Sequence, residues 1–158
     1  METHTKKAED LFKQGYNCSQ AVLGAYSEEL GIDFKTLMQL SSSFGGGMGR
    51  LREVCGAVSA MFMIAGLKKG YFLPTDNEGK KNHYKLIQEL AKKFKEKHQT
   101  IICRELLNLM EKESNPTPAE RTEQYYKTRP CIKFVQEACN IVDETIFQNV
   151  SKIWHAFK

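Results

Sequence analysis

Four of the five cysteines stand at predicted helix starts, where sulfur chemistry is favoured. Cys18 follows Asn17, a good N-cap, after the break at Gly15. Cys55 follows the glycine-rich stretch Phe44-Gly45-Gly46-Gly47-Met48-Gly49-Arg50. Cys103 lies three residues after Thr100, which as a cap would put it in a first turn. Cys131 follows Pro130, a preferred first helical residue, with Thr128 as its cap. A helix N-terminus carries partial positive charge and unpaired N–H groups, which favour thiolate over thiol. Thiolate is both the nucleophile and the metal ligand. Cys139 is the internal control: it sits mid-helix within Ala138-Cys139-Asn140 and reads as a small buried hydrophobe.

Spacing excludes the local cysteine motifs. There is no C-x-x-C pair of the thioredoxin type, no zinc-finger or zinc-ribbon spacing, and no C-x-x-C-H haem attachment. Any shared site must therefore be assembled by tertiary folding from separate segments. A disulfide requires Cα atoms roughly 4.4–6.8 Å apart, and a metal site requires all four sulfurs around one centre. The odd cysteine number argues against a closed disulfide framework.

The glycine stretch lacks the Lys-Ser/Thr ending of a phosphate loop and follows no strand. Its bare backbone at Gly46 and Gly47 can instead offer N–H groups to a sulfur or small anion, and Arg50 and Arg52 add positive charge beside Cys55. We therefore read Gly46, Gly47 and Arg50 as candidate cofactor-binding residues. His98, five residues before Cys103, is a weaker candidate base or ligand, and Tyr125 and Tyr126 are candidates for a cover over the site. His4, His83 and His155 form no recognisable pattern.

The elements that must position these thiols are helical. Ala8, Leu11 and Phe12 form one stripe ending near Gly15; Cys18, Ala21, Val22, Ala25, Tyr26 and Leu30 continue at helical spacing until Gly31. Asp33 caps a short helix with Phe34, Leu37, Met38 and Leu40. A fourth helix runs from about Val54 to Lys69 and reads as buried on all sides, with small residues at 56, 57, 59 and 60 that admit close approach. A long helix follows, with Tyr84, Ile87, Leu90, Ala91 and Phe94 on one face and the lysines of 92–97 on its solvated side. Ile102 to Leu109 is short and helical, 111–128 is a polar loop, and Pro130 to about Phe157 is the last helix. No alternating strand or repeat is visible. The expectation is an all-α single domain over residues 1–158: a bundle of about six to seven helices around a buried central helix.

Composition narrows the function classes. A net charge of +4 is too modest to imply nucleic acid. The longest apolar run, Val54 to Leu67, has 14 residues, against the ~20 of a membrane span. A polar N-terminus without a signal peptide points to the cytoplasm, where structural disulfides are uncommon.

The chain resembles the C-GCAxxG-C-C family of redox-active proteins, named for its cysteine pattern. Three pieces carry the resemblance: Gly15-Tyr16-Asn17-Cys18-Ser19-Gln20-Ala21-Val22, Phe44-Gly45-Gly46-Gly47-Met48-Gly49, and Cys55-Gly56-Ala57-Val58-Ser59-Ala60. The later Cys103 and Cys131 complete it, over about Ala8 to Val142. The family's cysteine motif ends in Gly where this chain has Ala60, and Cys139 lies outside the four-cysteine pattern. The resemblance implies a small helical redox protein. A similar domain occurs joined to c-type haem modules, whose attachment motif is absent here.

The reading that follows is a cytoplasmic thiol-based redox or electron-transfer protein in which Cys18, Cys55, Cys103 and Cys131 converge as the catalytic set, with Cys55 the attacking sulfur. Its enzymatic form is a thiol–disulfide oxidoreductase acting on a redox partner protein or small-molecule oxidant. The alternative is a metal centre on the same four cysteines, an iron–sulfur cluster or structural zinc. A third reading makes the cysteines inert in a helical interaction module. Homodimerisation is compatible with a small helical domain, though no feature demands it.

Overall fold

The computed structural model describes residues 1–108 and 115–148. Most of the helices begin where the sequence offers a side-chain acceptor or end where it offers a glycine. Helix α1 (His4–Lys13) is capped by Thr3, whose hydroxyl accepts from Lys6 N. Helix α2 (Cys18–Gly24) opens with a complete capping box: Asn17 accepts from Gln20 N and the Gln20 side chain accepts from Asn17 N. Helix α3 (Ser27–Leu30) ends at Gly31, which takes the left-handed conformation with φ 65°. Asp33 caps α4 (Phe34–Ser41), and a 3₁₀ turn (Ser42–Phe44) leads into the tight glycine turn α5 (Gly45–Met48). Then come α6 (Gly56–Lys69), α7 (Asn77–His98), α8 (Cys103–Leu106), α9 (Glu123–Thr128) and α10 (Cys131–Thr145).

The fold is all-α. Among the described residues the only β pairing is an isolated antiparallel bridge between Val54 and Ile102. Helix α6 packs against α2, α7 and α10, and α1 closes the opposite side against α2 and α10. The first half of α6 is the centre of the core: Gly56 to Met61, Ile64 and Ala65 are buried. Its second half is not, with Leu67 48% exposed, so the expected burial on all sides holds only for the turns that carry the cysteine motif. Phe12, Val22, Leu23, Tyr26, Leu37, Leu90, Phe94, Val135 and Val142 complete the interior. No described helix is long and apolar enough to cross a membrane.

Several boundaries differ from the expected ones, each for a tertiary reason. The helix expected over 18–30 breaks at Ala25–Tyr26. There the fully buried Tyr26 ring stacks on His4 at 4.1 Å, and its hydroxyl donates toward Cys139 O at 3.0 Å and Asp143 Oδ1 at 2.8 Å. The polar stretch 111–128 contains α9, nucleated by Thr122, whose hydroxyl accepts from Tyr125 N. Thr128, expected to cap the last helix, instead ends α9 and donates to Gln124 O; Pro130 occupies the N-cap of α10. Helix α10 ends at Thr145 rather than near Phe157. Phe147 turns back to stack on Tyr26 at 5.5 Å, and the remainder of that expected helix, 149–158, lies outside the described residues, as does Leu109. Tyr84 points outward, 51% exposed, with its hydroxyl 3.2 Å from that of Tyr71.

Candidate functional site: a cavity walled by four cysteines and four arginines

Cys18 is the first residue of α2, and the Asn17 cap that starts the helix also anchors its surroundings. The Asn17 amide donates to Ser42 O at 3.2 Å and Gln20 donates to Met38 O at 3.1 Å. These two bonds tie the start of α2 to the end of α4, so the glycine turn that follows α4 passes directly over Cys18.

That turn is conformationally demanding. Gly46, Gly47, Met48, Gly49, Arg50 and Arg52 all have positive φ, between 59° and 70°. Glycine takes this region freely, but Met48, Arg50 and Arg52 do so at a cost of about 1 kcal/mol or more each. The turn is held by Gly49 N to Gly45 O at 3.0 Å and Glu53 N to Gly47 O at 2.9 Å. Gly47 must lack a side chain: a Cβ there would stand 2.6 Å from Cys103 Cβ. Gly56 is equally constrained, since its Cβ would lie 2.7 Å from Cys18 Sγ and 2.8 Å from Phe44 O.

The isolated bridge between Val54 and Ile102 ties the segments that carry Cys55 and Cys103 together. Cys55 N donates to Ile101 O at 2.8 Å, and Cys103 N donates to Glu53 O at 2.6 Å. Cys55 is itself the N-cap of α6, which starts at Gly56 rather than at about Val54. Cys103 begins α8 behind Ile102 rather than through Thr100, whose hydroxyl accepts from Ile102 N and donates to Glu105. Cys131 begins α10 and reaches the same space from the opposite side.

All four cysteines line one cavity of about 290 Å³, and all five cysteines of the chain are free thiols. Two kinds of side chain stand out in the cavity's other walls. Phe12, Leu106, Leu107 and Phe134 are apolar, while Arg50, Arg52, Arg121 and Arg129 supply four guanidinium groups. No carboxylate is among the described residues that line it.

The thiols are electrostatically unequal. The Cys55 thiol donates to Cys18, and this bond, with the N–H groups of Gly46 and Ser19, outweighs burial and lowers the Cys18 pKa to about 6. Cys55 moves the other way, well above the ordinary thiol range, because its proton is the one shared with Cys18 and because it is buried. Burial raises Cys103, although Arg52 Nη1 stands 3.6 Å from its sulfur and pulls in the opposite sense. Cys131 is pushed up to about 12 by burial and by the negative charge of Cys18 and Cys103. Of the four thiols, Cys18 is therefore the one whose surroundings favour the thiolate, while those of Cys55, Cys103 and Cys131 favour the protonated form.

The expected glycine–sulfur contact exists but its target is different: Gly46 donates to Cys18, not Cys55. Gly47 is buried behind the wall as a spacer. Arg50 lines the cavity and donates to Thr117 O, while Arg52 is aimed at Cys103 rather than Cys55. His98 is packed against Phe94 and Phe134, with ring centroids 4.9 and 5.0 Å away, and is not part of the cavity wall. Of the two tyrosines, Tyr125 lines the cavity, whereas Tyr126 stands edge-on to Phe12 and donates to Lys13 O at 3.2 Å. Cys139 is fully buried in α10, with its thiol pushed up to about 12 by burial.

Arg121 and Arg129 had no signal in the sequence. Arg121 lies over the Phe12 ring at 4.4 Å and the Tyr125 ring at 4.9 Å, and donates to Phe12 O at 3.2 Å and Tyr16 O at 3.1 Å. Arg129 lies 5.5 Å from the Tyr125 ring. Both sit in a polar stretch whose course over the cavity depends on α9, itself unanticipated. Among the described residues, no group of three or more His, Cys, Asp or Glu side chains is arranged to hold a metal ion. The four sulfurs share a cavity without sharing a coordination shell, so the donor set as placed does not fit the metal centre expected as the alternative.

No curated protein and no solved structure matches the chain. The family described as "Putative redox-active protein (C_GCAxxG_C_C)" matches residues 16–145, from Tyr16 beside the Asn17 cap to Thr145 at the end of α10. That span contains the four cavity cysteines, the strained glycine turn and the four arginines, and it carries a redox role in general terms. The chain belongs to the C_GCAxxG_C_C family of redox-active proteins.

Proposed function

We propose that the protein is a cytoplasmic thiol–disulfide oxidoreductase in which Cys18 is the attacking sulfur and Cys55 resolves the mixed disulfide. What supports this reading is the placement of Cys18 and Cys55 on one cavity across the bare Cα of Gly56, with the Cys18 pKa lowered and that of Cys55 raised by their contact. This inverts the order expected from the glycines and arginines preceding Cys55. Those groups act on Cys18 and Cys103.

The step balances as a two-electron exchange. The Cys18 thiolate attacks one sulfur of an oxidised disulfide, forming a Cys18–S–S–R bond and expelling RS⁻. Cys55 then gives up its proton to the departing thiolate and attacks Cys18 Sγ, releasing the second RS⁻. The protein ends with a Cys18–Cys55 disulfide, and the substrate has gained two electrons. Cys103 and Cys131 face the same cavity as protonated thiols and form the reserve dithiol of this reading. Free thiols on this scale suit a reducing compartment.

The test is incubation of the reduced, anaerobically purified protein with hydroxyethyl disulfide, followed by mass mapping of a non-reduced digest. A Cys18–Cys55 crosslink is expected, and Cys55→Ser should accumulate the mixed disulfide on Cys18. Stoichiometric bound iron with visible absorbance in the purified protein, or no oxidation of Cys18, overturns the proposal.

A further inference from the structure

We infer that the end of the bundle away from the cavity, the turn from Leu67 to Leu73 with the first turns of α7, docks on an anionic phospholipid surface. This face lies outside the thiol site and is independent of its chemistry.

Eight large apolar side chains are exposed among the described residues, and four of them, Leu67, Phe72, Leu73 and Tyr84, fall within one short stretch of chain. Phe72 is 89% exposed, on the turn that joins α6 to α7. An aromatic ring left that far in water gains nothing within the fold, and a cluster of such side chains marks a contact surface. Tyr71 ties the turn to α7. Its ring stands edge-on to Tyr84 at 6.1 Å, and the two hydroxyls are 3.2 Å apart. Phe72 and Leu73 are therefore presented beside that helix. Tyrosine, with an apolar body and a polar tip, suits the boundary between hydrocarbon and water.

Lysines rim this turn. Lys68 and Lys69 end α6, and Lys80, Lys81 and Lys85 lie on the first turns of α7. Lys80 and Lys81 precede Tyr84 by four and three residues, so they share its side of the helix. Lys80 Nζ stands 5.5 Å from the centre of the Tyr71 ring. Farther along α7, Lys93 and Lys97 pair with Glu89 and Glu137; among the described residues no carboxylate pairs with the five lysines at this end. The opposing charges of the stretch are Asp76 and Glu78, and Asp76 accepts from Gly79 N as the cap of α7. Five cations against two anions leave a positive rim around an apolar tip.

Charge and position decide the occupant. A second copy of the chain would set five lysines against five. A redox partner seated here would be held roughly 20 Å from Cys55, because α6 has 14 residues and a helix rises about 1.5 Å per residue. A leaflet of anionic lipid takes apolar side chains among its headgroups and sets its phosphates against lysines. The protein would lie on that surface, since no described helix is long and apolar enough to cross it.

The experiment is co-sedimentation of the full-length protein with vesicles of phosphatidylcholine alone, or of phosphatidylcholine and phosphatidylglycerol in equal parts, at low and high salt. Binding to the mixed vesicles at low salt should be at least about tenfold tighter than to phosphatidylcholine. Phe72→Ser should weaken it severalfold, and Lys81→Gln with Lys85→Gln about tenfold or more. All three side chains are exposed, so these variants should melt with the parent. Lys92→Gln with Lys95→Gln removes the same charge from exposed positions farther along α7 and should change binding little. No preference for the mixed vesicles overturns the proposal, as does a preference that the Lys92 and Lys95 changes lower as much as those at Lys81 and Lys85. A dimer that Phe72→Ser dissolves would give the face to a second copy instead. Binding to poly-L-glutamate that depends on Phe72, without binding to vesicles, would give it to an acidic protein; either result overturns the lipid assignment.

Discussion

The Cys55 thiol lies against Cys18, and this contact lowers the Cys18 pKa while raising that of Cys55. Cys18 comes from the start of α2 and Cys55 from the cap of α6. Their meeting requires the bare Cα of Gly56, which leaves room for Cys18 Sγ. The pair thus joins the family's first two cysteine motifs in one electrostatic unit.

Removing the donor should make Cys18 more basic. A hydrogen bond to a charged group contributes about 1.5–3 kcal/mol, and one pKa unit corresponds to about 1.4 kcal/mol. Cys55→Ala is therefore expected to raise the Cys18 pKa from about 6 by about one to two units. The pH–rate profile of Cys18 alkylation by iodoacetamide, read site by site by mass spectrometry, checks this. The rate rises through the Cys18 pKa, so the midpoint moves to higher pH in the variant. An unmoved midpoint would mean that the backbone N–H groups alone hold the thiolate.

Gly56→Ala should disturb fold and site together. The added methyl would sit 2.7 Å from Cys18 Sγ and 2.8 Å from Phe44 O, the latter a backbone atom with little freedom to move. Overpacking of this kind costs about 1–3 kcal/mol. Urea unfolding should show that loss, and Cys18 alkylation at pH 7 should slow as its sulfur is pushed from Cys55. A variant with unchanged stability would mean that the two helices can separate freely at this contact.

His4 gives stability a pH dependence. Its ring is held between Asp143, with Nδ1 to Oδ1 at 2.8 Å, and Glu29, with Nε2 to Oε1 at 2.5 Å. Burial opposes the charged ring, but the two carboxylates together outweigh it and the pKa is raised above 6.5. A raised folded-state pKa means the contribution is complete below the unfolded value, about 6.5, and is lost as pH rises through the folded one. His4→Gln should thus cost about 1–2 kcal/mol near pH 5.5 and progressively less above neutrality. Melting temperatures of both proteins from pH 5 to 9 test this, and a gap that widens with pH would contradict it.

Cys139 should separate packing from chemistry. It is fully buried in α10 and away from the cavity wall. Cys139→Ala is expected to lower stability by about 1 kcal/mol, as for loss of a small buried group, while the alkylation rate of Cys18 stays the same. A changed Cys18 rate would tie α10's interior to the cavity.

Much of this architecture is legible in the residues themselves. Asn17, Gly31 and Asp33 mark helix ends because capping is local: each satisfies backbone groups within three or four residues. The apolar spacing of α1, α6 and α10 follows from the helical repeat, and so does the burial of Cys139. The cysteines and the glycine stretch also declare their chemistry by type, because few other residues provide a nucleophilic sulfur or unshielded N–H groups.

What folding decided is how those groups meet. The sequence offers four similar thiols; in the fold Gly46 and Gly56 both close on Cys18, and its pKa is lowered while those of the other three are raised. Helix α9 escaped notice because its six residues lack a long apolar stripe and it rests on Thr122 and on packing against Phe12. With α9 came Arg121 and Arg129, surface-type residues by composition that line the cavity only through that packing. Hydrogen bonding and charge act over a few ångströms in space, whatever the separation along the chain, so residue types named the candidates and only their tertiary neighbours set the roles.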